Sequence, residues 1–269
     1  MEVDLILRAQ DIVPEAVRDS WAVVIDVLRA TTTITAALEA GCRGIVPALE
    51  PDEARALAAR WPGHGRDTLL AGERGCHPIP GFDLGNSPQS YLPERVRGRV
   101  VFFTTTNGTR ALRACRPARV TLCACLRNAG AVVDVLLARR PPRVVLACSG
   151  REGGVAPEDV AVAGLLSDRL ARQGARLSPR AREAAGLAAS LEDWYSFFAG
   201  VPAGSNLLRL GYGEDVAFCL EFDRSRVVPR YLRGVVVPAR PPVMPARPHI
   251  VPACPPVMPA RPRASGGPA

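Results

Sequence analysis

Trp21-Ala22-Val23-Val24-Ile25-Asp26-Val27 is an apolar, β-branched run of strand length, and Leu28-Arg29-Ala30-Thr31-Thr32-Thr33 leads straight out of it. Val, Ile and Trp favour a pleated, buried surface, and a run without polar alternation reads as a strand covered on both faces. Thr31 to Ala40 then reads as a helix, with a Thr cluster at its start, Ile34, Ala37 and Leu38 at helical spacing and Gly41 at its end. A buried strand feeding a helix is the unit of an α/β fold.

The unit recurs on both sides. Val3 to Leu7 is a strand upstream; downstream come a strand at Gly44 to Ala48, a helix at Pro51 to Trp61 and a strand at Leu69 to Ala71. Arg99 to Thr104 is a strand that opens into a helix over Asn107 to Cys115. Val120 to Ala124 (strand), Asn128 to Ala138 (helix), Arg143 to Cys148 (strand) and Pro157 to Arg172 (helix) repeat the pattern. Repeated βα units predict a mostly parallel sheet with helices on both faces. After Ser178 the pattern is chiefly helical. Gly72 to Pro93 is a long Gly- and Pro-rich loop, and a long loop inside a compact domain is usually functional.

From Val235 the composition changes. Pro241 to Pro248 repeats as Pro255 to Pro262 in a Pro-rich segment without acids. Proline at that density lacks backbone donors, so residues 235–269 are expected to be a disordered or polyproline II tail attached to a domain at 1–234.

With 48% hydrophobic residues the 269-residue chain can bury a large core. The net charge of +8 would suggest nucleic acid, but Arg240, Arg247, Arg261 and Arg263 of the tail supply half of it, so a small anionic molecule is the expected partner instead. All 34 basic residues are Arg. A chain without lysine excludes a Walker A loop, a pyridoxal Schiff base and the lysine that ordinarily serves a haloacid-dehalogenase phosphatase. Eight Cys without a basic, apolar leader point to free thiols. Cys123 and Cys125 are one residue apart and the only His are His64, His77 and His249, a poor zinc pattern. No apolar run reaches the roughly 18 to 20 residues of a membrane span. The expectation is a cytoplasmic protein, with monomer and homo-oligomer both open.

Ligands of open parallel sheets bind beyond the carboxyl ends of the strands, and the polar residues concentrate there. Arg29, Arg74 and Arg110 can grip phosphate, sulfonate or carboxylate through forked donors. Thr31, Thr32 and the run Thr105, Thr106, Asn107, Gly108, Thr109 stand at helix starts, where unpaired N–H groups favour an oxyanion. Asn86 and Ser149 add polar groups. Asp26, Glu73 and Asp83 are hard oxygen donors of the kind magnesium takes. The plainer readings are a cap for Asp26, N-caps for the Thr runs and a local ion pair for Glu73-Arg74. Glu158 and Asp159 open a helix and read as dipole-favoured caps, with support of a metal as the alternative. Ser149 lacks an obvious base for a nucleophile.

Six blocks in order, Asp26 to Thr33 (DVLRATTT), Gly72 to Gly75 (GERG), Gly81 to Pro88 (GFDLGNSP), Thr105 to Thr109 (TTNGT), Cys148 to Gly154 with Glu158-Asp159, and Gly211 to Cys219 (GYGEDVAFC), resemble the 2-phosphosulfolactate phosphatase (ComB-like) family over Met1 to Pro229. The resemblance implies a three-layer α/β/α fold and Mg²⁺-dependent hydrolysis of 2-phospho-3-sulfolactate to 3-sulfolactate and phosphate, a step toward coenzyme M. Under it, Asp26, Glu73 and Asp83 would hold the metal and act in catalysis, with either covalent attack by Asp26 or direct attack by water. Cys76 departs from the pattern where a further Gly would be expected, and the Pro/Arg tail has no counterpart. The alternatives are a phosphatase of the same fold for another small phosphorylated acid, and a non-catalytic protein that binds anions or nucleic acid.

Overall fold

The computed structural model describes residues 1–63 and 65–239. The repeat at 241–262 lies outside the described residues.

Eleven strands share one sheet, in two parallel blocks. The first block holds β1 (Glu2–Ile6), β2 (Trp21–Ile25), β7 (Val120–Ala124), β8 (Arg143–Cys148) and the short β9 (Arg176–Leu177), in the order β7-β2-β8-β1-β9. The second holds β3 (Gly44–Ala48), β4 (Thr68–Arg74) and β6 (Val100–Thr104), with β5 (His77–Pro78) antiparallel on the edge of β4. Between them lies a hairpin from the C-terminal part, β10 (Pro229–Leu232) and β11 (Val235–Pro238), antiparallel to β7 on one side and to β3 on the other.

That hairpin corrects the boundary expected at Val235. Val235–Pro238 is a strand in the middle of the sheet, with Val235 and Val236 buried. The three consecutive valines are β-branched residues that fit a buried ladder, and they precede the dense prolines. The composition shift is real, but it falls at the end of the fold and not at its edge.

The helices are α1 (Pro14–Val17), α2 (Ala30–Glu39), α3 (Pro51–Ala59), α4 (Pro93–Val96), α5 (Gly108–Ala114), α6 (Ala129–Arg139) and α7 (Pro157–Ala171), then α8 (Pro179–Ser190), α9 (Trp194–Gly200), α10 (Pro202–Arg209) and α11 (Gly213–Cys219). The expected α/β layering holds. One core joins Val23, Ile25, Val144 and Leu146 of the first block to Val132 and Leu136 of α6 and Leu166 and Leu170 of α7. A second takes side chains from both blocks, Val24 and Val145 with Val101 and Phe103, around Ile34 and Leu38 of α2 and Ala111 and Leu112 of α5. A third packs Val46, Val100 and Phe102 on Leu57 and Trp61 at α3.

Three successive antiparallel pairings, β7 to β10, β10 to β11 and β11 to β3, make the two blocks run in opposite directions along the ladder. The blocks share a core with α2 and α5, and residues from the carboxyl ends of strands in both line one cleft. Register does the rest. Ile25 pairs with Cys148, which brings Asp26 and Ser149, the next residues, to the same level. Gly72 pairs with Thr104, which sets Glu73 beside Thr105 and Thr106. No helix of the described residues is long and apolar enough to cross a membrane.

Candidate functional site

The cleft is lined from both blocks: Asp26, Ser149 and Gly150 at the ends of β2 and β8, Glu73 and Cys76 at the end of β4, Thr105 to Asn107 after β6, and Asn86 from the long loop. Arg151, Glu158 and Asp159 complete it. Sequence reading places Asp26, Glu73, Asn86, Thr105, Thr106, Asn107, Ser149 and Arg29 there, and all eight line the cleft.

Asp26 is 8% exposed. Its Oδ1 accepts the amide of Ala30, 3.2 Å away, at the start of α2. Gly108 packs against it: a Cβ there would lie 2.6 Å from Asp26 Oδ2 and 2.6 Å from Ala30 Cβ, so the closeness of α5 to the carboxylate depends on a residue without a side chain. Gly108 thus serves the site by its absence of bulk. Glu73 is held at both oxygens. Oε2 accepts the Cys76 amide at 2.8 Å, and Oε1 accepts the Thr106 amide at 2.8 Å and the Thr106 hydroxyl at 3.0 Å. Cys76 adopts a left-handed φ of 70°, a conformation that glycine takes without cost, which is the physical content of its departure from the GERG block.

Asp159 Oδ1 accepts the amide of Val27 at 2.9 Å, and its Oδ2 accepts the Ser149 hydroxyl at 3.0 Å. Glu158, its neighbour, is 3% exposed and its Oε2 has no hydrogen-bond partner; Asn86 Oδ1 is likewise buried without one. Buried polar atoms are ordinarily paired, so two orphans in one cleft mark a place where something polar belongs.

The electrostatics agree. Burial pushes the Asp26 carboxyl up from 3.8 to about 6; the charge of Glu73 adds to the rise, and the Ala30 amide, the Ser149 hydroxyl and Arg29 oppose it. Burial, with the nearby Asp26 charge, raises Glu158 from 4.5 to about 7 against the pull of its own backbone amide and Arg151. Asp159 is pushed well above the usual carboxylate range by burial and by the charges of Asp26 and Glu158. Acidic groups in excess of their counter-charges are poised to accept protons or a cation.

Several expected residues serve elsewhere. Asp83 is not in the cleft: it is exposed, and its Oδ2 accepts the Leu70 amide at 2.8 Å as a loop cap beside β4. The carboxylates that line the cleft where Asp83 does not are Glu158 and Asp159, and their position at the first turn of α7 after β8 was the available signal. Thr31 and Thr32 point inward, donating to the carbonyls of Asp26 and Val27 at 2.8 Å each. Thr109 exchanges hydrogen bonds with Thr105. These hydroxyls tie helix starts to strand ends, although none of them is the N-cap of its helix. Arg74 donates to Leu49 O, Glu73 O, Thr104 Oγ1 and Glu50, and Arg110 pairs with Glu50, so neither lines the cleft.

Arg29 does line it, yet its guanidinium is spent. It is 3% exposed, lies 2.6 Å from Asp215 Oδ2, donates to Cys76 O and stacks 4.4 Å over the Tyr212 ring. Asp215 also accepts the Ser87 hydroxyl at 2.7 Å. The GYGED block is therefore the buried counter-charge that docks α11 onto the cleft. Its role could not be read from spacing, because Asp215 and Arg29 are 186 residues apart.

Residues 6–234 match the family model described as 2-phosphosulpholactate phosphatase. Among curated proteins the chain is 41% identical over 226 residues to one named "Probable 2-phosphosulfolactate phosphatase" from Synechococcus sp. (strain CC9605), covering 80% of this chain and 90% of that one. It is 37% identical over 233 residues to a protein of the same name from Caldanaerobacter subterraneus subsp. tengcongensis, with 81% and 90% covered, and 35% identical over 243 residues to one from Synechocystis sp., with 89% and 100% covered. A match over nearly the whole folded part leads to one conclusion: the chain belongs to the 2-phosphosulpholactate phosphatase family.

Proposed function

We propose that the chain hydrolyses 2-phospho-3-sulfolactate to 3-sulfolactate and phosphate with the aid of Mg²⁺. The observation that carries the reading is the convergence of Asp26, Glu73, Glu158 and Asp159 on one cleft with Glu158 Oε2 unpaired.

The donor set fits magnesium in kind. All four groups offer hard carboxylate oxygens, and burial raises Asp26, Glu158 and Asp159 above their ordinary values. Among the described residues no three His, Cys, Asp or Glu side chains form a ready metal cage. Magnesium rarely needs one: it keeps several waters and takes one or two carboxylates together with substrate phosphate. Hydrogen-bond accounting picks Asp26 and Glu158, whose oxygens are the least committed, as the groups that would hold it, with Glu73 and Asp159 held in place around them by the Thr106, Cys76, Val27 and Ser149 donors. When bound, the ion supplies charge neutralisation at the phosphoryl oxygens.

The protein's own groups do the remainder. Thr105, Thr106 and Asn107 face the cleft beside Asp26, where they orient the phosphoryl group. Ser149, whose hydroxyl is given to Asp159, is a positioning group and not a nucleophile. Asp26 is placed to attack phosphorus or to receive a proton from an attacking water. Burial of the cleft strengthens each of these interactions relative to water.

The test is phosphate release from 2-phospho-3-sulfolactate with Mg²⁺ and with chelator. Release that persists unchanged in chelator removes the metal; no release under any condition removes the hydrolase.

A further inference from the structure

The proposed substrate brings a phosphate, a carboxylate and a sulfonate into a cleft already lined by five carboxyl groups, Asp26, Glu73, Glu152, Glu158 and Asp159. A metal ion answers the phosphate. Something else must answer the other two anions, and in a chain without lysine the side chains with a permanent positive charge are arginines.

Two arginines line the cleft, Arg29 and Arg151. Arg29 is committed: Asp215 takes one end of its fork, Cys76 O the other, and Tyr212 one face. Breaking so buried a pair would leave Asp215 uncompensated, at a cost far above what a substrate contact returns. Arg151 is the opposite case. Its side chain is 28% exposed, and its one ion pair, 3.1 Å to Glu152, joins it to a side chain that is 75% exposed. An exposed pair of that sort contributes little and is exchanged readily.

The backbone under Arg151 is nonetheless firm. Arg151 and Gly154 exchange both amide hydrogen bonds, at 3.0 and 2.7 Å, across a two-residue turn in which Glu152 and Gly153 take φ of 50° and 79°, the signs a type I′ turn requires. Gly150, at φ 68°, lets this turn fold against β8, since a Cβ there would lie 2.6 Å from Gly154 O. Gly153 O accepts from Arg8 and Gln10, which tether the turn to the segment after β1. The result is a hydrogen-bonded turn that carries, next to Ser149 and Gly150, a guanidinium paired with the exposed Glu152 and close enough to Glu158 to lower its pKa.

We infer that Arg151 is the residue that selects for a second anionic group on the phosphate ester, binding its carboxylate or sulfonate through the guanidinium fork in exchange for Glu152. This rests on the phosphatase reading and specifies where in the cleft the non-reacting end of the substrate lies. Arginine suits it because planar forked donors match carboxylate and sulfonate oxygens alike.

Four esters separate the possibilities: 2-phospho-3-sulfolactate, 2-phospholactate with the carboxylate alone, 1-sulfopropan-2-yl phosphate with the sulfonate alone, and isopropyl phosphate with neither. Arg151→Gln is expected to lower kcat/KM, mainly through KM, by about 10- to 100-fold more for the first ester than for isopropyl phosphate, as the loss of a charge-assisted hydrogen bond implies. The single-anion ester that shares the larger loss identifies the group bound. Arg151→Lys should recover part of it. A loss equal within threefold on all four esters, or larger on isopropyl phosphate, overturns the inference while leaving the phosphatase standing, because it would mean that Arg151 serves only to balance Glu158. Wild-type protein that releases phosphate from none of the four overturns both.

Discussion

Arg29 and Asp26 stand three residues apart at the end of β2, and both are buried, yet their surroundings differ in kind. Around Arg29 the charge is answered: Asp215 and Cys76 O accept from the two terminal nitrogens, the Tyr212 ring covers one face, and Ser87 donates to Asp215. Around Asp26 negative charge accumulates faster than the Ala30 amide, Ser149, Arg29 and Arg151 offset it, and Glu158 retains an oxygen with no partner. The first cluster is closed and holds α11 against the cleft. The second is open and strained electrostatically. A buried charge that is fully paired supports the fold, whereas buried charges of one sign are kept at the expense of stability and are the signature of a functional cleft.

Exchanging the two aspartates for asparagine should break the comparison most sharply. Asp26→Asn is expected to reduce kcat by about 10³-fold or more, with thermal stability of the metal-free protein unchanged or higher, since a disfavoured charge is removed. Asp215→Asn should destabilise the fold by roughly 3 to 5 kcal/mol by stranding Arg29, which denaturant titration would read. If Asp26→Asn is the destabilising member of the pair, the assignment of closed and open clusters is reversed.

The open cluster also predicts a pH dependence. Asp26, Glu158 and Asp159 have folded-state values above their ordinary ones, so between about pH 4 and 7 the folded protein binds more protons than the unfolded chain. Stability must then fall as pH rises through that window, the reverse of a salt-bridged carboxylate. The metal-free protein is expected to melt roughly 5 °C lower at pH 8 than at pH 5, and millimolar Mg²⁺ should restore most of the difference at pH 8, since a ligand of the folded state stabilises by mass action. A melting temperature that rises with pH over this range would show that the carboxylates are paired after all.

The smallest effect belongs to Asp83. Asp83→Asn removes a loop cap outside the cleft, so it should cost about 1 kcal/mol of stability or less and change kcat by less than about threefold. A loss comparable to that of Asp26→Asn would put it back in the site.

Much of this was legible along the chain. Strand and helix positions agree to within a few residues, because apolar runs and helical periodicity are local properties, and the polar residues at strand ends marked the cleft. What misled was residue type without partners. A threonine at a helix start looks the same whether its hydroxyl meets a ligand or, like Thr31 and Thr32, the carbonyl of the preceding strand. Asp83 has the chemistry of a metal ligand and spends it on the Leu70 amide. Glu158 and Asp159 were visible as helix-start acids, but nothing local says that α7 is pressed so deep that they are 3% and 2% exposed. Val235–Pro238 borders a proline-dense segment, and only its pairing beside β10 and β3 makes it part of the sheet.

By itself the sequence determined the α/β succession, the free thiols, the want of lysine chemistry and the six blocks that carry the family likeness, all consequences of composition and short-range order. Tertiary structure decided which arginine is buried in an ion pair and which is held by an exposed one, which carboxylates share a cleft, and where a late hairpin joins the two blocks of the sheet. Those outcomes depend on contacts between residues as far apart as Arg29 and Asp215, and such contacts are settled by burial and by the polar partners each group meets once the chain has closed on itself.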